Sequence, residues 1–345
     1  MQSDSEGIHK KGFVMKGRYH IRIENKRLQY DLEIRRNITV IRGDSATGKT
    51  TLVSMIQSYE DDGPASGVSI VCDKECTVLR GQRWKDVLRT IHDSIVFIDE
   101  QNRFMESEDF ALEIRNSDNY YVLITRSKLD NLPYSVEEIY GMRVSSKYLG
   151  LKKTYNELYR IYENESMQCP IDELLIEDSN SGYQFFKSQV RDGIKCISAS
   201  GKSNIYTLVK LETLKQKNNE KPVLAIVADG AAFGSEMEKL HLLALRGYRI
   251  VLYLPESFEW LILQSGLITG HEIQNILDDP SQYIESRIYF SWERFFTAIL
   301  IEKTRKTYLE YTKSKLNNAY IQPVSADKIK AVLPEQLKDI FIRER

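Results

Sequence analysis

The spacing of apolar residues changes several times along the chain, and each change predicts an element. In "RYHIRIENKRLQYDLEI" (18–34), Tyr19, Ile21 and Ile23 alternate with polar residues, and Leu28, Tyr30, Leu32 and Ile34 repeat the pattern. Period-two alternation predicts two strands, with a turn at "NKR" (25–27). Ile38, Val40 and Ile41 make a short buried strand, and "KTTLVSMIQSY" starts a helix. "SIVFI" (94–98) is a continuous apolar, β-branched run, as expected of a central parallel strand. "NYYVLITRS" (119–127) is another, carried by Tyr121, Val122, Leu123 and Ile124. Between them, Trp84, Val87, Leu88 and Ile91 stand at helical spacing. "EDFALEIRN" reads as a crossover helix, and "EIYGMRV" (138–144) as a strand closing the sheet. Tyr155, Tyr159 and Tyr162 follow at helical spacing.

A proline, acids and "SNSG" between 165 and 182 predict a boundary, giving domains at 1–165 and 183–345. Past it, "GIKCISASGKSNIYTLVKLETLKQK" reads as strand, turn, helix. Residues 223–228 form a second strand ending at Asp229-Gly230, and residues 250–254 a third, with a helix opened by Pro255-Glu256-Ser257. Residues 290–345 read as helical. The expected fold class is α/β: a parallel sheet, a second α/β domain and a C-terminal helical segment.

A length of 345 residues suits roughly two domains. Hydrophobic content of 42% and charged content of 28% are ordinary for a globular protein. The net charge of −1 excludes polyanion binding by bulk charge but allows a local basic face. No apolar run approaches the ~20 residues that span a bilayer, and the polar start "MQSDSEGIHKKGF" lacks a signal-peptide core. A cytoplasmic protein with no membrane partner is expected. Four cysteines fit a reducing compartment. Cys72 and Cys76 lie close in "VCDKEC", Cys169 and Cys196 stand alone, and the spacing is wrong for zinc, so buried or half-buried thiols are expected.

The chemistry concentrates in "GDSATGKT" (43–50), between the strand at 38–41 and the helix that follows. Glycines let the backbone wrap phosphate oxygens while amides and the helix dipole face them. The candidate nucleotide-binding residues are Gly43, Asp44, Ser45, Ala46, Thr47, Gly48, Lys49, Thr50 and Thr51. Lys49 would bridge β- and γ-phosphates, and the Thr50 hydroxyl would reach Mg²⁺. Asp99 ends the 94–98 strand, where α/β sheets place ligands, and would complete the metal shell. Glu100 follows it and would polarise an attacking water. Arg126, at the end of the next strand, would stabilise transferring charge, or is an ordinary turn residue.

These residues resemble the additional-strand, catalytic-glutamate class of P-loop NTPases, which includes the AAA and ABC ATPases, over about residues 20–150. The resemblance implies ATP and Mg²⁺ as ligands, hydrolysis by Lys49, Thr50, Asp99 and Glu100, and sites often completed in trans, hence a possible homodimer. No "LSGGQ" signature occurs, and the 50 positions from Lys49 to Asp99 leave no room for an ABC helical subdomain. No N-K-x-D guanine-reading motif is present, so adenine is the default.

A second Gly-Lys-Ser, at 201–203, invites a second nucleotide site. Cys196 stands where that loop needs its first glycine. The segment instead looks like a Toprim domain, and ATPase followed by Toprim is the domain order of the overcoming-lysogenization-defect family. On that alignment Gly201, Lys202 and Ser203 match, Ser200 replaces the glutamate, Asn204 an aspartate, Asp229 is kept and Ala231 replaces its partner. Glu256 and Glu259 stand near the next strand end. The resemblance implies a Toprim-like fold without the metal chemistry, and nuclease activity is not expected. Near the C-terminus, Phe295, Phe296, Ile299 and Leu300 mix with Lys303, Arg305, Lys306, Lys313 and Lys315, which suits a nucleic-acid contact or an amphipathic helix with a solvated basic face. The expectation is an ATP-hydrolysing switch with a nucleic-acid or protein partner, in nucleic-acid metabolism or phage defence. The alternatives are a nucleotide-gated scaffold and a small-molecule phosphotransferase.

Overall fold

The computed structural model describes residues 17–43, 47–148, 152–162, 170–215, 221–284 and 289–341. Its first half runs β1 (Tyr19–Glu24), β2 (Leu28–Ile34), β3 (Ile38–Ile41), α1 (Lys49–Asp62), β4 (Ser69–Val71), β5 (Cys76–Val78), α2 (Trp84–Leu88), β6 (Ile95–Ile98), α3 (Glu108–Arg115), β7 (Tyr120–Ile124), β8 (Ile139–Val144) and β9 (Thr154–Arg160). The second half runs β10 (Glu173–Ile176), α4 (Ser181–Gln189), β11 (Lys195–Ser198), α5 (Lys202–Lys215), β12 (Val223–Val227), α6 (Gly234–Leu245), β13 (Arg249–Tyr253), α7 (Phe258–Gln264), α8 (His271–Asp278), α9 (Trp292–Thr304), α10 (Pro323–Ala331) and α11 (Glu335–Lys338).

Among the described residues, nine strands form the larger sheet, in the order β4-β1-β2-β9-β8-β3-β7-β6-β5. From β8 to β5 all pairs are parallel, while β1 pairs antiparallel with β2 and β4, and β8 with β9. β7 lies between β3 and β6, in register with both: Ile41 faces Ile124, and Ile98 faces Leu123. These three strands are buried on both faces, which explains their unbroken apolar runs.

The sheet is rolled. Nine strands have eight gaps, which at about 4.8 Å each would carry a flat sheet to roughly 38 Å. Its edge strands β4 and β5 are joined only through residues 72–75, a path of at most about 18 Å from Val71 to Cys76. The edges must therefore curl toward each other, and α1 fills the inside. Leu52, Val53, Met55 and Ile56 of α1 pack there with Ile21, Tyr30, Ile41, Phe97 and Val122.

The smaller sheet is all parallel, in the order β11-β10-β12-β13. One face is covered by α4 and α7–α11, built around Phe185, Phe258, Phe296 and Tyr320. The other shares a continuous core with the larger sheet, in which Leu129, Leu132 and Tyr134 meet Phe233, Met237 and Leu240. The Gly234 amide donates to the Tyr134 carbonyl at 2.9 Å, and a Cβ at Gly234 would sit 2.4 Å from the Tyr134 ring. Only glycine lets α6 begin that close.

Three expectations differ from the structure. Residues 154–160 form strand β9, not a helix, because that segment fills the place between β2 and β8. The smaller sheet begins at Glu173, inside the stretch 165–182 expected to be a boundary: β10 pairs with both β11 and β12. The described part of the C-terminal region, 290–341, alternates helices with long turns, and Phe295 and Phe296 belong to its core while Lys303 and Lys313 pair with Glu272 and Glu293. Among the described residues, no helix is long and apolar enough to cross a membrane.

Candidate functional site

Parallel strands point their carboxyl ends one way, so β3, β7 and β6 deliver their following residues to a single edge. β3 leads through Arg42 and Gly43 to the loop before α1. β7 leads to Thr125 and Arg126, and β6 to Asp99 and Glu100. The Thr125 amide donates to the Ile41 carbonyl at 3.2 Å, which stitches two of these ends together.

The loop's shape comes from its glycines. Gly43 and Gly48 adopt φ of +121° and +89°, in the region that side chains disfavour. A Cβ on Gly48 would also meet the Tyr30 hydroxyl at 2.9 Å. That hydroxyl donates to the Gly48 carbonyl at 2.9 Å, so β2 buttresses the loop from beneath. Burial pushes the Tyr30 hydroxyl's pKa up, against a hydrogen bond with Thr51. Lys49 is buried, and its ammonium curls back to the Gly43 carbonyl at 3.0 Å and the Thr47 hydroxyl at 2.7 Å. The charge thus lies between Gly43 and Thr47, on either side of residues 44–46. Thr50 and Thr51 are exposed on the first turn of α1. Asp44, Ser45 and Ala46 lie outside the described residues.

At the neighbouring strand ends, Asp99 accepts the Glu100 amide at 2.7 Å. Arg126 pairs with the Glu100 carboxylate, Nε to Oε2, at 3.3 Å. The two candidate catalytic side chains therefore meet each other. Both are partly open to solvent.

Three charged residues at this edge and beside β3 carried no obvious sequence signal. Arg42, directly ahead of Gly43, is buried, donates to Glu238 of α6 at 3.0 Å and to the Tyr134 hydroxyl at 3.1 Å. At the other end of β3, Arg36 makes a bidentate pair with Glu256, at 2.8 and 2.6 Å, and lies 3.6 Å over the Trp292 ring. Buried Glu138 lies alongside, 3.7 Å from the Arg36 guanidinium, and accepts from Thr39. Burial raises the Glu138 carboxyl to about 7, against the pull of Arg36. The strand that leads into the loop is thus bolted at both ends to the smaller sheet's layer. An arginine immediately before a glycine-rich loop was the one readable hint.

The second Gly-Lys-Ser is arranged differently. Its lysine, Lys202, donates to the Ala232 carbonyl at 2.7 Å. The Gly201 amide already donates to the Glu177 carbonyl at 2.8 Å, and the Ser200 amide to Ser198 Oγ at 3.1 Å. Cys196 lies inside β11, paired with Leu174, not in the turn. Amides committed in this way have no proton left to offer a phosphate.

The alignment of Ser200 with a strand-end glutamate also changes. β10 precedes β11 and is followed directly by Glu177, whose carboxylate accepts the Asp229 amide at 2.9 Å. The acid at the end of the first strand is therefore Glu177, and it meets Asp229 across the sheet edge. Neighbouring Asp178 is structural: its Oδ2 accepts from the Gly182 and Tyr183 amides and caps α4. Burial, then the charges of Glu293, Glu177 and Glu259, push the Asp229 carboxyl well above the carboxylate range. Burial likewise raises Glu177 and lowers the Lys202 ammonium. Glu259 accepts from the Tyr311 hydroxyl at 2.8 Å, and Glu256 is held by Arg36. Among the described residues, no group of three or more His, Cys, Asp or Glu side chains is placed to hold a metal ion.

No protein-family model matches the chain. A search of curated proteins finds no match either.

Proposed function

We propose that the chain binds ATP with Mg²⁺ in loop 43–50 and hydrolyses it, working as a nucleotide-driven switch. The single observation carrying this reading is the convergence of three strand ends on one edge. The left-handed Gly43 and Gly48, the inward Lys49 ammonium and the Asp99-Glu100 pair all stand there. An inserted strand, β7, between the loop strand and the acid strand adds support.

The chain's own groups suit the chemistry. Lys49 would exchange its bonds to Gly43 and Thr47 for phosphate oxygens, because a charged acceptor binds an ammonium more strongly than a carbonyl. The Thr50 hydroxyl and Asp99 would hold Mg²⁺, which neutralises phosphate charge when bound. Glu100 would orient and deprotonate water once Arg126 swings to the transferring phosphoryl group. Asp229 and Glu177, by contrast, do not fit a divalent cation. Lys202 and Lys313 already supply positive charge there, and the Asp229 carboxyl is held toward its neutral form. The smaller sheet is read as a docking or sensing layer for a protein or nucleic-acid partner.

The test is calorimetry and turnover on the full chain. Mg·ATP binding lost in Lys49→Ala, with turnover lost but binding kept in Glu100→Gln, is expected. A wild-type chain that binds no nucleotide would overturn the reading. Binding without turnover would favour a nucleotide-gated scaffold, a reading encouraged by the Arg42–Glu238 contact. Mg²⁺- or Mn²⁺-dependent nuclease activity lost in Asp229→Ala would overturn the reading of the second layer.

A further inference from the structure

The seam of the rolled sheet carries two thiols. Cys72 directly follows edge strand β4, and Cys76 opens the opposite edge strand β5. Only Asp73, Lys74 and Glu75 separate them. Both pack on the core around α1, Cys76 buried and Cys72 half-buried. The two thiols interact with each other, and the Cys76 thiol donates to the Lys74 carbonyl at 3.9 Å. The loop itself is pinned. Lys74 pairs with Asp93 and lies 5.1 Å from the centre of the Tyr19 ring, which in turn packs edge-on against Tyr120 at 4.9 Å.

We propose that Cys72 and Cys76 are a redox pair, oxidised by hydroperoxides to a disulfide that staples the seam of the sheet around α1. The roles follow from position. Cys72, the half-buried sulfur and the more accessible of the two, attacks the terminal peroxide oxygen. The O–O bond breaks, the alkoxide leaves and takes up a proton as an alcohol (or water, from hydrogen peroxide), and Cys72 becomes a sulfenic acid. The Cys76 sulfur then attacks the Cys72 sulfur. The S–O bond breaks, and hydroxide leaves with the Cys76 proton as water. Two thiols and one hydroperoxide give one disulfide, one alcohol and one water. The electrostatics agree. The neighbouring Cys76 thiol, against the effect of burial, brings the Cys72 thiol down to about 7, and the Cys72 neighbour, with burial, pushes Cys76 up. Cys196, raised by burial to about 11, is the internal control.

The experiment uses the full-length protein and hydrogen peroxide near neutral pH, followed by alkylation, trypsin and mass spectrometry. Trypsin cuts after Lys74, so the disulfide appears as two peptides joined until reductant is added. Joined peptides, forming roughly tenfold or more faster than any oxidation of Cys196, are expected from the difference in thiolate fraction. In Cys76→Ser, Cys72 should accumulate as a sulfenic acid that a cyclic 1,3-dione traps. In Cys72→Ser, Cys76 should form no adduct. Oxidation of Cys72 no faster than Cys196 in the wild type would overturn the proposal, and this arm depends on no variant's folding. A Cys72 sulfenic acid in the wild type that persists without joining Cys76 would overturn it as well.

Discussion

Arg42 donates to Glu238 at 3.0 Å across the line where the two sheets share a core, one residue ahead of the glycine-rich loop. Arg42→Ala is expected to cost about 1–2 kcal/mol, less than a fully buried pair because Glu238 keeps part of its solvation. The effect on coupling is sharper. If the loop and α6 move together, Mg·ATP should alter hydrogen exchange in α6 of the wild type. It should leave that region unchanged in Arg42→Ala and in Glu238→Gln, although calorimetry still finds binding. Equal exchange shifts in all three proteins would show that the contact carries nothing.

Tyr30 supports the loop through one hydrogen bond to the Gly48 carbonyl. Tyr30→Phe keeps the ring in the core and removes that bond, so a loss of about 0.5–1.5 kcal/mol is expected in urea unfolding. Nucleotide affinity should fall severalfold, since the loop is less well held. Unchanged affinity would mean that the glycines alone set the loop's shape. Gly48→Ala should be worse on both counts, as the Cβ meets Tyr30 at 2.9 Å and φ is +89°.

Glu138 predicts a pH dependence with a definite sign. Its folded-state pKa of about 7 lies above the ordinary 4.5, so between those values the folded chain keeps a proton that the unfolded chain releases. Stability attributable to Glu138 is present below the lower value and is lost as pH rises through the upper one, by up to ~3 kcal/mol. Glu138→Gln should flatten that part of the stability profile relative to wild type. Parallel profiles for the two proteins would contradict the assignment.

Asp229 gives a related expectation at the other sheet. Its raised pKa reflects burial near Glu293, Glu177 and Glu259. Asp229→Asn should therefore stabilise the protein above neutral pH, by about 1 kcal/mol or more, with the gain shrinking in acid. A destabilised variant at high pH would mean that the charge is compensated, most directly by Lys313.

Much of this architecture is legible from pattern alone. The alternation in β1 and β2, the apolar runs of β3, β6 and β7, and the strand–loop–helix setting of 43–50 are local signals. β9 misled because a spacing of four, as from Tyr155 to Tyr159, fits both a helix turn and one face of a strand. Pairing with β2 and β8 decides between them. β10 was missed because "ELLI" is buried on both faces and so shows no alternation, and "EDSNSG" reads as a linker. In the folded chain Asp178 of that stretch caps a helix and Glu177 meets Asp229.

Local sequence was thus enough to specify the α/β class, the glycine-rich loop with Lys49 and Thr50, and the acids at 99 and 100. Hydrogen-bond geometry and side-chain periodicity act over a few residues, and the sequence records them directly. The contacts between distant segments were left to the tertiary structure: Arg42 with Glu238, Arg36 with Glu256, and Glu177 with Asp229. Each depends on strand order, sheet curvature and burial, which arise only when elements far apart in the chain pack into common cores.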